Sequence, residues 1–349
     1  MKRVHTALVL QGGAALGAYE AGVLLGLLEP PGRSLDVITG CSIGAVMAAI
    51  AAGARGDPRE ALTDMWQRFS LPGSRYMPAP LVNGLTFLGN WNIYRVNPRY
   101  LATPWAATHL YETAPLEQAL LEWVDFERLN ASATEVVVTA VDVMTGRLAE
   151  FSNRNGLTPQ HVLASASLPP VFPMQTFDGH AYWDGGLISN TPLRPAINAI
   201  ESSNHRDGNP PWEVIVVDLF TPRPVPPESL GETFERAFEL VFFGKFQHDL
   251  KLFETMNAQL DLIRQIDQAL PADSPLRQHP AYLKLRRHRQ IDRLTVVRTP
   301  QPELLGGPAD FSIPSIEARI ALGRQDAEAQ LRSPLRPARP ARPRRKAVP

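Results

Sequence analysis

A serine between two glycines is the first feature of this sequence that could carry chemistry. Gly40, Ser42 and Gly44 form a Gly-x-Ser-x-Gly pattern between a short apolar run, LDVIT, and an alanine-rich run, AVMAAIAAG. In a nucleophile elbow the serine occupies a strained strand-to-helix turn, where flanking side chains would collide with both elements. The following helix directs its N-terminus at the reacting centre, which favours developing negative charge. This context predicts that Ser42 is a nucleophile; a glycine-rich turn without catalysis is the alternative.

A serine nucleophile needs a base, and one arrangement would use histidine. Asp218 followed by His248, His279 or His288 has the serine–acid–histidine order of an α/β hydrolase. None of these histidines lies in a glycine-rich or turn-rich context. His248 falls in an apolar-periodic helical segment, and the other two fall in a charged, polar stretch. We therefore expect all three to be surface or structural residues.

Asp184 is a better candidate for the base. It precedes Gly185 and Gly186 in the segment HAYWDGGLISNTPL. The two glycines allow the backbone to turn tightly at the acid and leave space beside it. Asp-Gly is also a common turn, so this pattern is informative only together with the serine motif.

A second glycine-rich turn follows the first apolar run, in the segment LQGGAALGAYEAGVL. Its residues Gly12, Gly13, Ala14 and Ala15 carry backbone N–H groups that could bind an oxyanion. The turn lacks the Lys-Ser/Thr pair of a nucleotide P-loop, and Ala14 replaces the second glycine of the dinucleotide-binding fingerprint. We therefore expect no cofactor, and nucleophilic attack by a serine with an aspartate as base requires no metal.

Strands and helices in alternation must position these turns. Val4 to Leu10 and Leu35 to Thr39 are short apolar runs, each followed by a glycine-containing turn and a helical pattern. Two such units indicate an α/β fold with a parallel sheet. Thr134 to Gly146, Trp212 to Phe220 and Arg293 to Thr299 are predicted as further strands.

Two segments fall outside this alternation. Ser74 to Thr113 combines proline, asparagine and glycine with many aromatic residues. It is long for a structureless loop, which favours either a cover over the site or a structural subdomain. Gly231 to Leu270 has apolar residues at spacings of three and four, which predicts one or two helices. We expect these helices to pack on the domain rather than to dock on a membrane.

Charge and cysteine content restrict the partners and the compartment. Lys+Arg and Asp+Glu both total 35, so the overall charge predicts no nucleic-acid partner. The single cysteine, Cys41, excludes an intrachain disulfide and indicates an intracellular protein; its side chain should point away from the cleft that Ser42 faces. The proline-rich basic tail from Arg332 to Pro349 is predicted to be disordered, as a solvated terminus or as a contact for anionic lipid or nucleic acid.

Taken in chain order, these features resemble the patatin-like phospholipase family: the glycine-rich turn, GCSIGA around Ser42, ASASLPPVFP from Ala164 to Pro173, and DGG at Asp184. The resemblance covers about Val4 to Phe220 and implies a parallel-rich central sheet with helices on both faces. It also implies a Ser-Asp dyad without histidine that acts on acyl esters of lipids. Carried over, Ser42 is the nucleophile, Asp184 is the base, and the turn from Gly12 to Ala15 supplies oxyanion donors.

Two positions depart from the family pattern. Ala14 stands where a third glycine is usual, and Leu16 stands where a basic residue is usual. Alanine keeps its N–H, so the turn can retain its donors if φ at residue 14 is negative. Loss of the basic residue bears on headgroup preference more than on ester hydrolysis.

The predicted organisation is a catalytic domain over residues 1–225, a mainly helical C-terminal extension over 226–331 and a basic tail over 332–349, with 74–113 as the candidate cover. The predicted function is a serine acyl-ester hydrolase that forms an acyl-enzyme intermediate on lipid or other acyl esters. The alternatives are a catalytically weak binding protein on a lipid surface or granule, and an acyltransferase. No apolar run approaches the roughly 20 residues of a spanning helix. We therefore expect a cytoplasmic protein with at most peripheral membrane or granule contact.

Overall fold

The computed structural model describes residues 3–30, 32–203, 210–222 and 225–331, and the predicted basic tail lies outside the described residues. The strands are β1 (His5–Leu10), β2 (Val37–Gly40), β3 (Arg95–Val96), β4 (Tyr111–Glu112), β5 (Glu135–Asp142), β6 (Arg147–Ser152), β7 (Gln175–Phe177), β8 (His180–Asp184), β9 (Trp212–Val217) and β10 (Arg293–Val297). The α-helices are α1 (Gly17–Leu28), α2 (Ile43–Gly53), α3 (Pro58–Phe69), α4 (Ala79–Phe87), α5 (Pro98–Ala102), α6 (Ala114–Trp123), α7 (Phe126–Ala131), α8 (Pro159–Ser165), α9 (Leu193–Ser202), α10 (Leu230–Ala269), α11 (Pro280–Arg287) and α12 (Ile313–Leu331). Short 3-10 helices lie at Ala14–Leu16, Ser74–Tyr76, Pro104–Ala106, Asn153–Asn155, Gly185–Leu187, Pro275–Gln278 and Pro302–Leu305.

A mostly parallel sheet forms the centre of the fold, in the order β10-β9-β1-β2-β5-β8-β7, with β6 paired to β5. Strands β10, β9, β1, β2 and β5 pair in parallel, whereas β6, β7 and β8 pair antiparallel. The two strand–turn–helix units predicted from the sequence are β1–α1 and β2–α2. This arrangement confirms the predicted parallel-rich α/β fold.

Alternating side chains of the central strands bury apolar surface on both faces of the sheet. On β1, Leu8 and Leu10 join the core formed with α1, α2 and α3. Ala7 and Val9, on the opposite face, pack with α9 and with Phe246 of α10. Because helices cover both faces, the strands are nearly continuous apolar runs, which is the pattern that made them recognisable in the sequence.

The C-terminal region is built into the same core. Strand β10 extends the sheet by pairing with β9. Helix α12 crosses α1 so closely that a Cβ built on Gly22 would lie 2.1 Å from the Ile320 carbonyl oxygen. The Tyr19 hydroxyl donates to Asp326 Oδ2 (2.9 Å) across the same pair of helices. Residues 226–331 are mainly helical, as predicted, and they contribute an edge strand to the central sheet.

The aromatic segment over 74–113 contains α4, α5 and the antiparallel pair β3–β4. Its residues Tyr94 and Tyr111 pack against Phe172, with ring centroids 5.5 and 6.3 Å from that ring. The segment is therefore attached to the rest of the α/β domain by aromatic contacts.

Helix α10 is a single helix of 40 residues, about 60 Å long. Phe246 is buried against the sheet, which agrees with the predicted packing of this segment on the domain. Other apolar side chains of α10 face outward, including Phe238, Val241 and Leu252. Among the helices of the described ranges, none combines the length and hydropathy needed to cross a membrane.

Replacing Gly22 by alanine should lower the free energy of unfolding by about 1 to 3 kcal/mol, because the new Cβ would collide with the backbone of α12. Gly26, on the same helix, offers a matched control, since its Cβ would make an ordinary contact 3.7 Å from Ala327 Cβ. Gly26→Ala should be neutral or should stabilise by up to about 1 kcal/mol through helix propensity. Urea unfolding of both variants measures the difference, and equal effects would contradict the close crossing.

Candidate active site

Strand register brings the chemically important turns to one edge of the sheet. Strands β1 and β2 end side by side. Gly40, the last residue of β2, lies opposite Val138 on β5, and Asp184, the last residue of β8, lies opposite Ala140. Ser42 is two residues beyond Gly40, just as Ala140 is two residues beyond Val138. The nucleophile and the acid proposed from the sequence therefore stand at the same level of the sheet.

Ser42 forms the turn between β2 and α2 with a positive φ; its φ is +55° and its ψ is −124°. Residues other than glycine rarely adopt a positive φ, so this turn is strained. The Ser42 N–H donates to Ser165 Oγ (3.0 Å), which ties the turn to α8. Because α2 begins at Ile43, the positive end of its dipole faces the serine.

The glycines on either side of Ser42 allow the strand and the helix to approach closely. A Cβ on Gly40 would lie 2.4 Å from the Gly44 carbonyl oxygen, and a Cβ on Gly44 would lie 2.7 Å from the Leu10 carbonyl oxygen. A side chain at either position would push β2, α2 and β1 apart. The spacing of the two glycines thus follows from the geometry of the turn.

The Asp184 carboxylate lies beside Ser42 and is buried, with 2% exposure. Its Oδ1 accepts the Gly186 N–H at 2.8 Å. Burial raises the pKa of Asp184 to about 6, and hydrogen bonds from Gly186, Ser42 and Cys41 offset part of the rise. A carboxyl group with this pKa is a stronger base than an exposed aspartate, yet it is ionised at neutral pH.

The acid turn after β8 is held from two directions. Gly185 packs directly on β5, since a Cβ there would lie 2.6 Å from the Thr139 carbonyl oxygen. Lys245 Nζ, from α10, donates to the Leu187 carbonyl oxygen (2.6 Å) at the end of the turn. Lys245 belongs to a distant segment of the chain, so motif spacing could not reveal its contact with this turn.

The turn from Gly12 to Ala15, called the oxyanion turn below, lies next to the serine. Gly12, Gly13 and Ala14 line the same cavity as Ser42. The Gly12 N–H makes a long hydrogen bond to the Asn190 carbonyl oxygen (3.4 Å). For the N–H groups of Gly13 and Ala14, the described residues provide no hydrogen-bond acceptor. These two groups are therefore available to a developing oxyanion.

Ala15 departs from the sequence-based assignment. Its N–H donates to the Pro308 carbonyl oxygen (3.0 Å). That hydrogen bond occupies the N–H group of Ala15, so the function proposed below uses Gly13 and Ala14 as the oxyanion donors. The contact comes from a C-terminal segment whose proximity the sequence does not reveal.

Ala14 has φ +48°, so the negative φ that the sequence interpretation required is not present. The residue keeps its N–H group. An L-residue in the left-handed region carries strain that glycine avoids, which is the physical reason for a glycine at this position.

Two side chains that the motifs did not single out connect the turns. Asn190 Nδ2 donates to the Gly12 carbonyl oxygen (2.8 Å). Gln11 Nε2 donates to Thr191 Oγ1 (2.6 Å), and its Oε1 accepts the Leu219 N–H (2.8 Å). Only their positions in the sequence could have suggested a role at the site. Gln11 ends the first apolar run, and Asn190 and Thr191 follow the acid turn.

Cys41 contacts the acid from inside the domain. The residue is fully buried and does not line the cavity at Ser42, in line with the expected orientation. Its Sγ donates a weak hydrogen bond to Asp184 Oδ1 (3.4 Å). Burial raises the pKa of the Cys41 thiol, so it remains a protonated donor.

The histidines considered as alternative bases lie elsewhere. His248 is on α10, and His279 and His288 flank α11. None of the three lines the cavity at Ser42. His288 Nδ1 instead forms a hydrogen bond with Glu201 (3.0 Å).

A cavity of about 660 Å³ opens above Ser42 and Asp184. Its walls come from the oxyanion turn, the segment from Ala164 to Pro173, α10 and residues 302–310. Residues 302–310 are called the cover segment below; they are distinct from the candidate cover predicted at 74–113. Apolar side chains dominate the walls, among them Leu16, Val171, Phe172, Phe220, Phe242 and Leu305.

The aromatic segment over 74–113 does not contribute described residues to this wall. Tyr94 and Tyr111 stand behind Phe172, so they support the cavity from outside. Within the described part of the chain, no group of three histidine, cysteine or acidic side chains is placed to hold a metal ion.

Comparison with known proteins gives matches to phospholipases. The family model of patatin-like phospholipases matches residues 8–197, more than half of the chain. Lysophospholipase NTE1 of Cryptococcus neoformans is 25% identical over 248 residues, which cover 68% of this chain and 12% of that protein. A cGAMP-activated phospholipase of Pseudomonas aeruginosa is 29% identical over 204 residues, which cover 53% of each chain. The chain thus spans about half the length of the cGAMP-activated phospholipase and a much smaller part of lysophospholipase NTE1.

Among solved structures, the crystal structure of VipD from Legionella pneumophila aligns with a TM-score of 0.37 at 13% identity. The alignment covers 95% of this chain and 67% of that chain.

Replacing Ala14 by glycine should raise the free energy of unfolding by about 0.5 to 1 kcal/mol. Relief of the left-handed strain is worth about 1 to 2 kcal/mol, and the extra backbone entropy of glycine in the unfolded chain offsets about 0.5 to 1 kcal/mol of that gain. Ala15→Gly is the matched control, because φ of Ala15 is not positive, and it should destabilise. Thermal unfolding compares the two variants, and the opposite order of stabilities would contradict the conformation at residue 14.

Proposed function

Because this chain belongs to the patatin-like phospholipase family, we propose that it is a serine hydrolase that cleaves lipid acyl esters with a Ser-Asp dyad. The observation that carries the proposal is the position of Ser42, an elbow residue with positive φ beside a buried carboxylate at an apolar cavity. The family match and the phospholipase relatives support a lipid acyl hydrolase in general.

In the acylation step, Ser42 Oγ attacks the ester carbonyl carbon and Asp184 accepts the hydroxyl proton. The carbonyl oxygen becomes an oxyanion, to which the N–H groups of Gly13 and Ala14 donate, next to the N-terminus of α2. The bond between the carbonyl carbon and the alcohol oxygen then breaks, and Asp184 returns the proton to the departing alcohol. An acyl ester of Ser42 remains.

In the deacylation step, Asp184 takes a proton from a water molecule as the water oxygen attacks the acyl-enzyme. The second tetrahedral intermediate uses the same N–H donors, and its collapse returns the proton to Ser42 and releases the carboxylic acid. An aspartate is a weak base towards a serine hydroxyl, so most of the transition-state stabilisation must come from the donors and the helix dipole. The raised pKa of Asp184 reduces this mismatch.

The walls of the cavity indicate the substrate class. Mainly apolar side chains around the nucleophile suit an acyl chain rather than a small polar ester. Exposed apolar residues, including Phe238, Ile188 and Leu304, occur on the elements around the cavity. These side chains support a substrate presented by a lipid surface, with peripheral contact between the protein and that surface.

Ser42→Ala and Asp184→Asn should each reduce hydrolysis of long-chain p-nitrophenyl esters by about 10³-fold or more, because they remove the nucleophile and the base. Asp178→Asn, on the hairpin that leads into β8, is the control and should retain wild-type activity. A fluorophosphonate probe should label the wild type and Asp178→Asn, but not Ser42→Ala.

Labelling of Ser42→Ala would contradict the assignment of the nucleophile. A wild type that neither labels nor hydrolyses any chain length would favour the alternative of a lipid-surface binding protein on this fold. Product analysis in the presence of an added alcohol separates hydrolysis from acyl transfer, because the two reactions differ only in the acceptor.

The reaction should become slower at acid pH, because Asp184 becomes protonated. The base must be ionised, and its pKa is about 6, so kcat/KM should fall about tenfold per pH unit below that value and level off above it. Cys41→Ala removes a hydrogen bond that lowers this pKa, so it should move the acid limb to higher pH. The pH dependence of kcat/KM with an uncharged ester, measured for the wild type and Cys41→Ala, gives both acid limbs. A wild-type acid limb at the pKa of an exposed aspartate, about 4, would contradict a buried base.

A further inference from the structure

Arg319, on α12, is a buried arginine whose hydrogen bonds within the described residues all go to backbone carbonyl groups. Its side chain donates to the carbonyl oxygens of Leu305 (2.6 Å), Asp310 (2.7 Å), Gly307 (2.9 Å) and Ala15 (3.2 Å). Three of these acceptors belong to the cover segment, and the fourth belongs to the oxyanion turn. Arg319 therefore joins the cover segment to that turn.

Ala15 is held at both of its backbone polar groups. Its N–H donates to the Pro308 carbonyl oxygen (3.0 Å), and its own carbonyl oxygen accepts from Arg319. The preceding residue, Ala14, has the strained φ of +48°. Strained backbone persists only where surrounding contacts over-determine it. The contacts at Ala15 restrain the residue that directly follows this strained position.

An ion pair does not explain why this position is an arginine. Burial lowers the pKa of Arg319 to about 10, and the charge of Asp310 offsets only part of this effect. The Asp310 carboxylate accepts hydrogen bonds from Ser312 and Ser315, and Arg319 contacts the Asp310 backbone oxygen instead. A buried cation is costly unless it satisfies several acceptors, so the group of carbonyl oxygens accounts for the arginine.

We propose that Arg319 is a positioning residue for the oxyanion turn: it holds the Ala15 carbonyl and the cover segment so that the Gly13 and Ala14 N–H groups stay available beside Ser42. The inference rests on the proposed function, because those N–H groups matter to catalysis only if an oxyanion forms at Ser42.

The origin of this arginine also bears on the family pattern. The oxyanion turn is followed by Leu16, where the sequence comparison above expects a basic residue. A basic side chain, that of Arg319, reaches this turn from α12, which lies outside residues 8–197 that match the family model. Residues of the C-terminal region thus contact the oxyanion turn from outside the matched region.

Arg319→Met removes the donors but keeps a long side chain. It should lower kcat for p-nitrophenyl esters by about 10²-fold with little change in KM, because oxyanion donors act mainly in the transition state. Arg319→Lys keeps a cation with fewer hydrogen-bond donors, so its kcat should fall by a smaller factor. Arg324→Ala, which removes an exposed ion pair between the same helix and Glu29, should leave kcat unchanged.

The decisive measurement is rescue by Ala14→Gly. Glycine adopts the left-handed conformation without support, so Ala14→Gly should restore kcat of Arg319→Met by at least about tenfold. Tyr19→Phe is the control for general weakening of α12, because it removes only the hydrogen bond to Asp326. Ala14→Gly should bring no gain in Tyr19→Phe beyond its effect in the wild type. Absence of rescue in Arg319→Met would overturn the proposal.

Hydrogen exchange separates this proposal from the proposed function. The N–H groups of Ala15 and Leu16 are hydrogen-bonded to Pro308 and Gly13, and they should exchange faster in Arg319→Met but not in Tyr19→Phe. That result supports the positioning role even if the wild type hydrolyses no ester, in which case the proposed function alone fails. Unchanged exchange in folded Arg319→Met would overturn the role. If Arg319→Met does not fold, Arg319→Lys takes its place in each measurement.

Discussion

Ser42 presents its side chain at the edge of the sheet through a backbone turn with positive φ, and the contacts around it are those that such a turn requires. A residue other than glycine in such a sparsely populated backbone region carries about 1 to 3 kcal/mol of strain. Gly40 and Gly44 remove the clashes that would open the turn, and α2 is buried in the apolar core between the sheet and its neighbouring helices. The strain is thus located at the nucleophile, and packing elsewhere in the domain offsets it.

The burial that stabilises the core also raises the pKa values of the acidic groups around the site. Asp184, Cys41 and Glu20 are all buried, and burial raises the pKa of each. Glu20 accepts the Gln11 N–H at the end of β1 and so supports the backbone that leads into the oxyanion turn. Asp184 is buried as deeply but receives three hydrogen bonds, so its pKa stays near 6 and it can serve as a base at neutral pH.

The C-terminal region couples the site to the packing of the whole domain. The close crossing of α1 and α12 brings Arg319 to the oxyanion turn, and α10 brings Phe242 to the cavity and Lys245 to the acid turn. Local opening of either helix would therefore loosen a turn of the site without changing Ser42 itself. For this reason the geometry of the donors and the stability of the C-terminal helices should vary together.

By itself the sequence determined the elbow, the acid turn and the parallel sheet, because each depends on short-range rules. Gly40 and Gly44 act within one turn, and strands covered on both faces are apolar runs without alternation. The tertiary structure decided which N–H groups of the oxyanion turn remain free, since Pro308 occupies that of Ala15. It also decided that α10 and the cover segment wall the cavity, to which the described residues of the aromatic segment do not contribute. Contacts between residues far apart in the chain leave no periodicity or spacing in the sequence, so only the folded chain reveals them.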